Sequence, residues 1–193
     1  MPAAGRVTAG SARGLRLVGV GPGTRPLSDR VKQALFGALA DRLPGARVLD
    51  LFAGSGAAGI EALSRGAAWS DFVERDEAAL RAITANLRST GLAERGAVHG
   101  DDALRFLERA REQGLRYDLA IVDPPYGNPV MLPALERLGG GALLVPEAMV
   151  VAKHFWRDEL PAAMGRLRRR RTRRFGETAL TTYETAGEGA VER

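Results

Sequence analysis

The short apolar run Arg47-Val-Leu-Asp-Leu51 breaks into a turn carrying Gly54, Gly56 and Gly59, and a helical period opens at Ala57. Such a junction is a strand, a tight turn and a helix whose first amides point back over the strand, and its natural setting is a sheet covered by helices. The rest of the chain keeps the same alternation. Strands are expected near 47–51, 69–73, 97–99, 117–122 and 142–152, with helices near 57–65, 77–89, 102–112 and 129–138. The expected class is α/β, with a mostly parallel sheet and helices on both faces.

The ends of the chain depart from this pattern. Arg6-Val-Thr-Ala and Leu15-Arg-Leu-Val-Gly-Val flank Gly10-Ser-Ala-Arg-Gly14 and read as a small hairpin outside the main core, so residues 1–24 form an extension. A helix follows from Val31, with Ser28 or Asp29 available to cap it and Leu43-Pro-Gly45 to end it. Residues 167–172 and 178–183 read as an antiparallel hairpin that closes the main domain, 25–185, and residues 186–193 as a frayed tail.

Composition narrows the chemistry. The 193 residues suit one ordinary domain, and 28 Lys and Arg against 23 Asp and Glu leave a charge of +5 that favours anionic partners. With no cysteine, and with His99 and His154 as the only histidines, neither a disulfide framework nor a Cys/His zinc site can be built, and no metal is expected. No apolar leader is visible. The longest apolar stretch, 142–152, is interrupted by Pro146 and Glu147 and is too short to span a bilayer, so a cytoplasmic protein that engages no membrane is expected.

Gly54, Gly56 and Gly59 spell the G-x-G-x-x-G of dinucleotide binding, which by itself is weak evidence. Asp50 argues against a diphosphate. Like charges about 4 Å apart repel by roughly 4 kcal/mol at an effective dielectric constant of 20, whereas the same carboxylate favours a cofactor bearing positive charge. S-adenosylmethionine carries an amino group, a sulfonium and no phosphate. Glu74 closes the next strand at the position expected to read ribose hydroxyls, and Asp101-Asp102 follow the third strand, where a side chain can accept from the adenine amine. Acids at three successive strand ends favour S-adenosylmethionine over NAD, and no proton-relay residue for hydride chemistry is evident.

After the apolar strand 117–122 comes Asp123-Pro124-Pro125-Tyr126-Gly127. Two prolines fix φ and remove two amide donors, leaving a rigid turn that offers carbonyls. The lone pair of an exocyclic amine on a nucleobase is delocalised into the ring. If the Asp123 carboxylate and the Pro124 carbonyl each accept one N–H, the nitrogen is drawn toward tetrahedral geometry and aimed at a methyl donor. Preorganised dipoles of this kind contribute on the order of 3 kcal/mol. The Tyr126 ring can stack on the base for roughly 1–3 kcal/mol.

With both motifs in view, the chain resembles the class I S-adenosylmethionine-dependent methyltransferases, which are Rossmann-like. It resembles most the bacterial 16S ribosomal RNA guanine-N2 methyltransferases of the RsmD type. The likeness runs through 6–14, through Thr24-Arg-Pro-Leu-Ser-Asp-Arg-Val31, through Val48–Gly56 with Gly59–Gly66, and through Glu74 and Asp123–Tyr126. It implies a seven-stranded sheet with a short N-terminal extension and methyl transfer to N2 of one guanine in 16S ribosomal RNA. The substrate would be the small subunit or its assembly intermediate, and the enzyme a monomer. Asp50, Phe52, Gly54, Ser55, Gly56, Gly59, Glu74 and Asp102 would contact the cofactor, and Asp123, Pro124, Pro125 and Tyr126 would hold the target base. The chain departs from such proteins after the fifth strand, where they often place an acidic residue before histidine and this sequence has Lys153-His154.

Arg6, Arg13, Arg16, Arg25, Arg30 and Lys32 load the N-terminal portion with positive charge and are the candidates for RNA phosphate contacts. The arginine run 166–174 reads as an exposed strand and turn that is either a solvated face or a second RNA contact. A guanine must leave its stack to reach Asp123, which favours a loop base. The competing readings are an adenine-N6 methyltransferase acting on DNA or RNA, and a noncatalytic RNA-binding module.

Overall fold

The computed structural model describes residues 3–21 and 29–186. Arg25, Ser28 and the tail beyond Ala186 lie outside the described residues. The chain divides into two compact units, 1–103 and 104–193.

The first unit opens with a hairpin of β1 (Ala3–Arg6) and β2 (Arg16–Val18), continues through α1 (Asp29–Ala38), and then alternates β3 (Arg47–Leu51), α2 (Ala57–Ser64), β4 (Trp69–Glu74), α3 (Glu77–Thr90) and β5 (Gly96–Gly100). β3, β4 and β5 are parallel, in the order β5-β4-β3. Strands buried on both faces cannot alternate apolar with polar residues, which is why Val48, Leu49 and Leu51 read as one run.

Every residue of α2 is buried, including Glu61 and Ser64. The helix packs closely on β4 at Gly59, where a Cβ would stand 2.3 Å from Cε1 of Phe72. Glu61 and Ser64 receive the hairpin. Thr8 N–H donates to Glu61 Oε2 at 2.8 Å, its hydroxyl and Ala9 N–H donate to Oε1, and Ser11 and Ala12 N–H donate to the Ser64 carbonyl and hydroxyl. On the far side Asn86 of α3 accepts from Val18 N–H and returns a bond to its carbonyl.

The hairpin is therefore not outside the core as the sequence suggested. Ala4, Val7, Ala12 and Leu17 are buried. Each large apolar side chain buried in this way contributes about 1.5–3 kcal/mol. Gly10, at φ +83°, makes the approach possible, since a Cβ there would lie 1.7 Å from the Ser64 carbonyl oxygen.

The second unit contains α4 (Ala103–Glu112, whose first residue lies in the first unit), β6 (Tyr117–Val122), α5 (Met131–Gly139), β7 (Leu144–Phe155), β8 (Ala163–Met164), β9 (Leu167–Phe175) and β10 (Thr178–Thr185). Its strand order is β6-β7-β10-β9-β8. β6 and β7 are parallel, while β10 runs antiparallel to both β7 and β9. Apart from the β1–β2 hairpin, eight strands are found among the described residues where a seven-stranded sheet was expected, and the addition is the two-residue β8. The α/β class stands.

Replacing Gly10 with Ala is expected to loosen the hairpin from α2. Hydrogen exchange of the Thr8, Ala9, Ser11 and Ala12 amides should accelerate while β3–β5 keep their protection. Unchanged protection of those four amides would contradict this docking.

Candidate active site

Because β3, β4 and β5 run parallel, the residues at their C-terminal ends stand along one edge of the sheet, and the acids singled out in the sequence gather there. Asp50 is 2% exposed, and its Oδ2 accepts the N–H of Gly59 at 2.8 Å. Gly59 is the third residue of α2, so the carboxylate takes one of the free first-turn amides that a phosphate would otherwise use. A buried negative charge at that position turns the site away from a diphosphate.

Glu74 closes β4, half-buried. Its Oε2 accepts from Gly54 N–H at 3.0 Å, and its Oε1 accepts from Arg75 and Asp76 N–H at 2.8 and 3.0 Å. Between these anchors Phe52 sits at φ 67°, a left-handed conformation that costs a bulky L-residue about 1–3 kcal/mol. The N–H groups of Phe52 and Ala53 both donate to the Val73 carbonyl at 3.0 Å and hold it there.

Gly54 is half-buried, and a Cβ added to it would meet nothing within 4 Å, so this part of the backbone faces open space. Gly56 is the N-cap of α2, and the Ser55 carbonyl accepts from the Asn86 amide at 2.9 Å. Asp102 stands half-buried just before α4, its N–H bonded to Asp101 Oδ1. The first unit thus assembles Asp50, Phe52, Gly54, Ser55, Gly56, Gly59, Glu74 and Asp102 at or next to one edge.

In the second unit Asp123 follows β6 directly. The register pairs Val122 with Ala152, so the next residues along the two parallel strands, Asp123 and Lys153, are neighbours. Lys153 Nζ donates to Asp123 Oδ1 at 2.5 Å, with the two side chains 17% and 22% exposed. Burial pushes the Asp123 carboxyl up to about 6, against the pull of the Lys153 ammonium.

Pro124 is buried while Pro125 and Tyr126 are exposed. The Tyr126 hydroxyl bonds Thr178 Oγ1, its ring centroid lies 6.0 Å from that of Phe155, and the Lys153 ammonium stands 5.5 Å from the ring. A cavity of about 210 Å³ opens beside this turn, lined in part by Pro124, Pro125, Tyr126, Lys153 and Leu132.

His154 lines the same cavity but is engaged by partners within the sheet. It is buried, its Nδ1 is 2.9 Å from the Phe155 carbonyl and its Nε2 2.8 Å from Thr181 Oγ1. A carbonyl can only accept, so Nδ1 carries a proton, and burial, which lowers the pKa, favours the neutral ring. It packs the sheet.

Of the cations expected at an RNA surface, Arg6, Arg13 and Arg16 are exposed on the hairpin and Arg30 on α1. Lys32 is a correction. It is 1% exposed, donates to the Arg6 carbonyl at 2.9 Å and lies 3.9 Å from Glu61, so it balances a buried carboxylate and cannot reach a phosphate.

Lys153 and Thr178 escaped the sequence reading as site residues. The signal for both is strand register, which sets them beside Asp123 and Tyr126 only once pairing partners are known.

Residues 5–184 match the family described as Conserved hypothetical protein 95. The chain belongs to this family. Ribosomal RNA small subunit methyltransferase D of Escherichia coli is 33% identical over 185 residues, 95% of this chain and 91% of that protein. The solved structure of a hypothetical protein from Thermus thermophilus is 36% identical, with a TM-score of 0.81 over 93% of this chain and 99% of that one. The fold is shared more widely. A SAM-dependent methyltransferase from Agrobacterium tumefaciens aligns with a TM-score of 0.66 at 18% identity, over 89% of this chain and 67% of that one.

Replacing Asp50 with Ala leaves the buried Gly59 N–H without its acceptor. The expected loss is about 1–3 kcal/mol of stability, read as a lower midpoint in urea at unchanged slope. An unchanged midpoint would remove the bond from the structural argument.

Proposed function

We propose that this protein transfers a methyl group from S-adenosyl-L-methionine to the exocyclic N2 of a guanine in 16S ribosomal RNA of the small subunit or its assembly intermediate. The observation that carries the reading is the rigid Asp123–Tyr126 turn, whose half-buried carboxylate is held by Lys153 and whose aromatic ring is exposed. The names of the family's relatives support the RNA substrate, and the fold shared with SAM-dependent methyltransferases supports the cofactor.

The residues of the first unit suit that cofactor. Glu74 presents a half-exposed carboxylate at the position that reads ribose hydroxyls, Asp102 offers an acceptor, and the open backbone at Gly54 admits close approach. When bound, S-adenosylmethionine supplies an electrophilic methyl on a sulfonium.

The protein's own contribution is orientation. Lys153 occupies Asp123 Oδ1 and favours its ionised form, which leaves Oδ2 to accept one N–H of the amine while the Pro124 carbonyl accepts the other. Tyr126, tethered through Thr178, offers its face to the flat base. The nitrogen that gains a methyl becomes strongly acidic, and Asp123, titrating at about 6, is suited to take its proton.

Tritiated methyl transfer into small subunits that lack the modification, followed by nucleoside analysis, tests the reading. N2-methylguanosine is the expected product. Methyladenosine, or no transfer, would overturn it.

The acid limb of kcat/KM should fall near pH 6 as Asp123 protonates. Lys153 lowers the Asp123 pKa, so Lys153→Met should move that limb to higher pH, whereas Lys153→Arg should restore it. A limb at the same pH in all three proteins would exclude Lys153 from this role.

A further inference from the structure

The arginine-rich strand β9 presents different residues on its two faces, and the register shows which face continues from the Asp123–Tyr126 turn. In antiparallel pairs, residues directly opposite one another point to the same side of the sheet. β10 pairs Leu180 with Lys153 on one side and with Arg173 on the other. The next rows on this face are Phe155–Thr178–Phe175 and Val151–Thr182–Arg171.

Lys153 and Thr178, the two partners of the turn, therefore share a face with Arg171, Arg173 and Phe175. With strands about 4.8 Å apart, the Arg173 backbone lies about 10 Å from that of Lys153. Arg174, one residue along, points the other way and stacks over the Trp156 ring at 3.6 Å.

The arginines of β9 also differ in how their charge is engaged. Arg170, at the register shift between Thr182 and Tyr183, is neutralised by Glu184, and Arg169 donates to the Leu160 carbonyl. Arg171 and Arg173 are exposed, and no carboxylate among the described residues pairs with either. Arg173 lies 5.4 Å from the centroid of the Phe175 ring, which holds the guanidinium on this face. Two unpaired, exposed guanidiniums beside an aromatic-rimmed turn form a cationic strip matched to phosphates, and guanidinium forks bind phosphate oxygens in bidentate fashion.

We infer that Arg171 and Arg173 bind the RNA phosphates flanking the nucleotide whose base enters the Asp123–Tyr126 turn. The inference rests on the RNA methyl-transfer reading above and adds to it the surface that sets the register of the strand. Phosphate contacts position the nucleic acid, and the turn then selects the base. The same strand could carry arginines merely to keep an open sheet edge from pairing with another chain. That role would draw equally on Arg174, so the faces provide the discrimination.

The test compares wild type, the double variant Arg171→Gln/Arg173→Gln, and Arg174→Gln. Methyl transfer into undermethylated small subunits is followed across a salt titration, with S-adenosylmethionine affinity by calorimetry and thermal midpoints alongside. The double variant should raise KM for the subunits roughly tenfold at low salt and flatten the log–log salt dependence by about 1.4, near 0.7 per lost contact. Its kcat, cofactor affinity and thermal midpoint should stay at wild-type values, and Arg174→Gln should match wild type throughout. A double variant with wild-type KM and salt slope, or an equal loss in Arg174→Gln, would overturn the inference. If the wild-type protein itself transfers no methyl to the subunits, the functional reading fails and this inference with it. An active wild type with an unaffected double variant sinks this inference alone.

Discussion

The bond from Gly59 N–H to Asp50 Oδ2 is the constraint on which the first unit turns. It ties the end of β3 to the first turn of α2 across the glycine loop, and so fixes how far the helix stands from the sheet. That spacing is small enough that Gly59 lies against Phe72 with no room for a side chain. A helix held this close must present small residues, and Ala57, Ala58, Gly59 and Ala62 supply them. The carboxylate also consumes the positive end of the helix dipole. The loop keeps the glycine spacing of a phosphate cradle while losing the electrostatics of one.

Carboxylates accepting backbone amides recur through this unit. Glu74 holds Gly54 from the neighbouring strand, and Glu61 holds Thr8 and Ala9 of the hairpin. Burying a carboxylate costs several kcal/mol unless its lone pairs are answered. Glu61 is answered by two backbone amides, a hydroxyl, Arg65 at 2.8 Å and Lys32 at 3.9 Å. The hairpin is thus part of what makes α2 tolerable as a fully buried helix. Asn86, which bonds both Val18 and the Ser55 carbonyl, carries the same tie through to the glycine loop.

The alternation of strand and helix was legible because strands covered on both faces appear as apolar runs, as in 119–122, and the limits expected for this strand, 117–122, match those of β6. The glycine loop and the proline turn were legible because each imposes a backbone that few residues adopt. Lys32 misled because its charge looks the same on a surface as beside a buried acid, and its partner Glu61 is distant in sequence. The hairpin misled for the same reason, its anchors being polar atoms on a remote helix. β8 is two residues long and has no periodicity to read. Lys153 was visible only as a departure from an expected acid, since its meaning depends on the parallel pairing of β6 with β7.

That pairing bears on why a half-buried lysine can sit on the carboxylate that the substrate must use. An ionised carboxylate has about four lone-pair sites, and a single ammonium contact on Oδ1 leaves Oδ2 free. Lys153 therefore need not leave when an amine arrives. Its departure would in fact be harmful, because burial alone would drive Asp123 further toward the protonated form, which offers a donor where an acceptor is required. The opposing effects of burial and the ammonium leave the group titrating at about 6, low enough to be ionised at neutral pH and high enough to take a proton from an acidic nitrogen. A more exposed aspartate would be the weaker base, and a buried one without Lys153 would more often arrive already protonated.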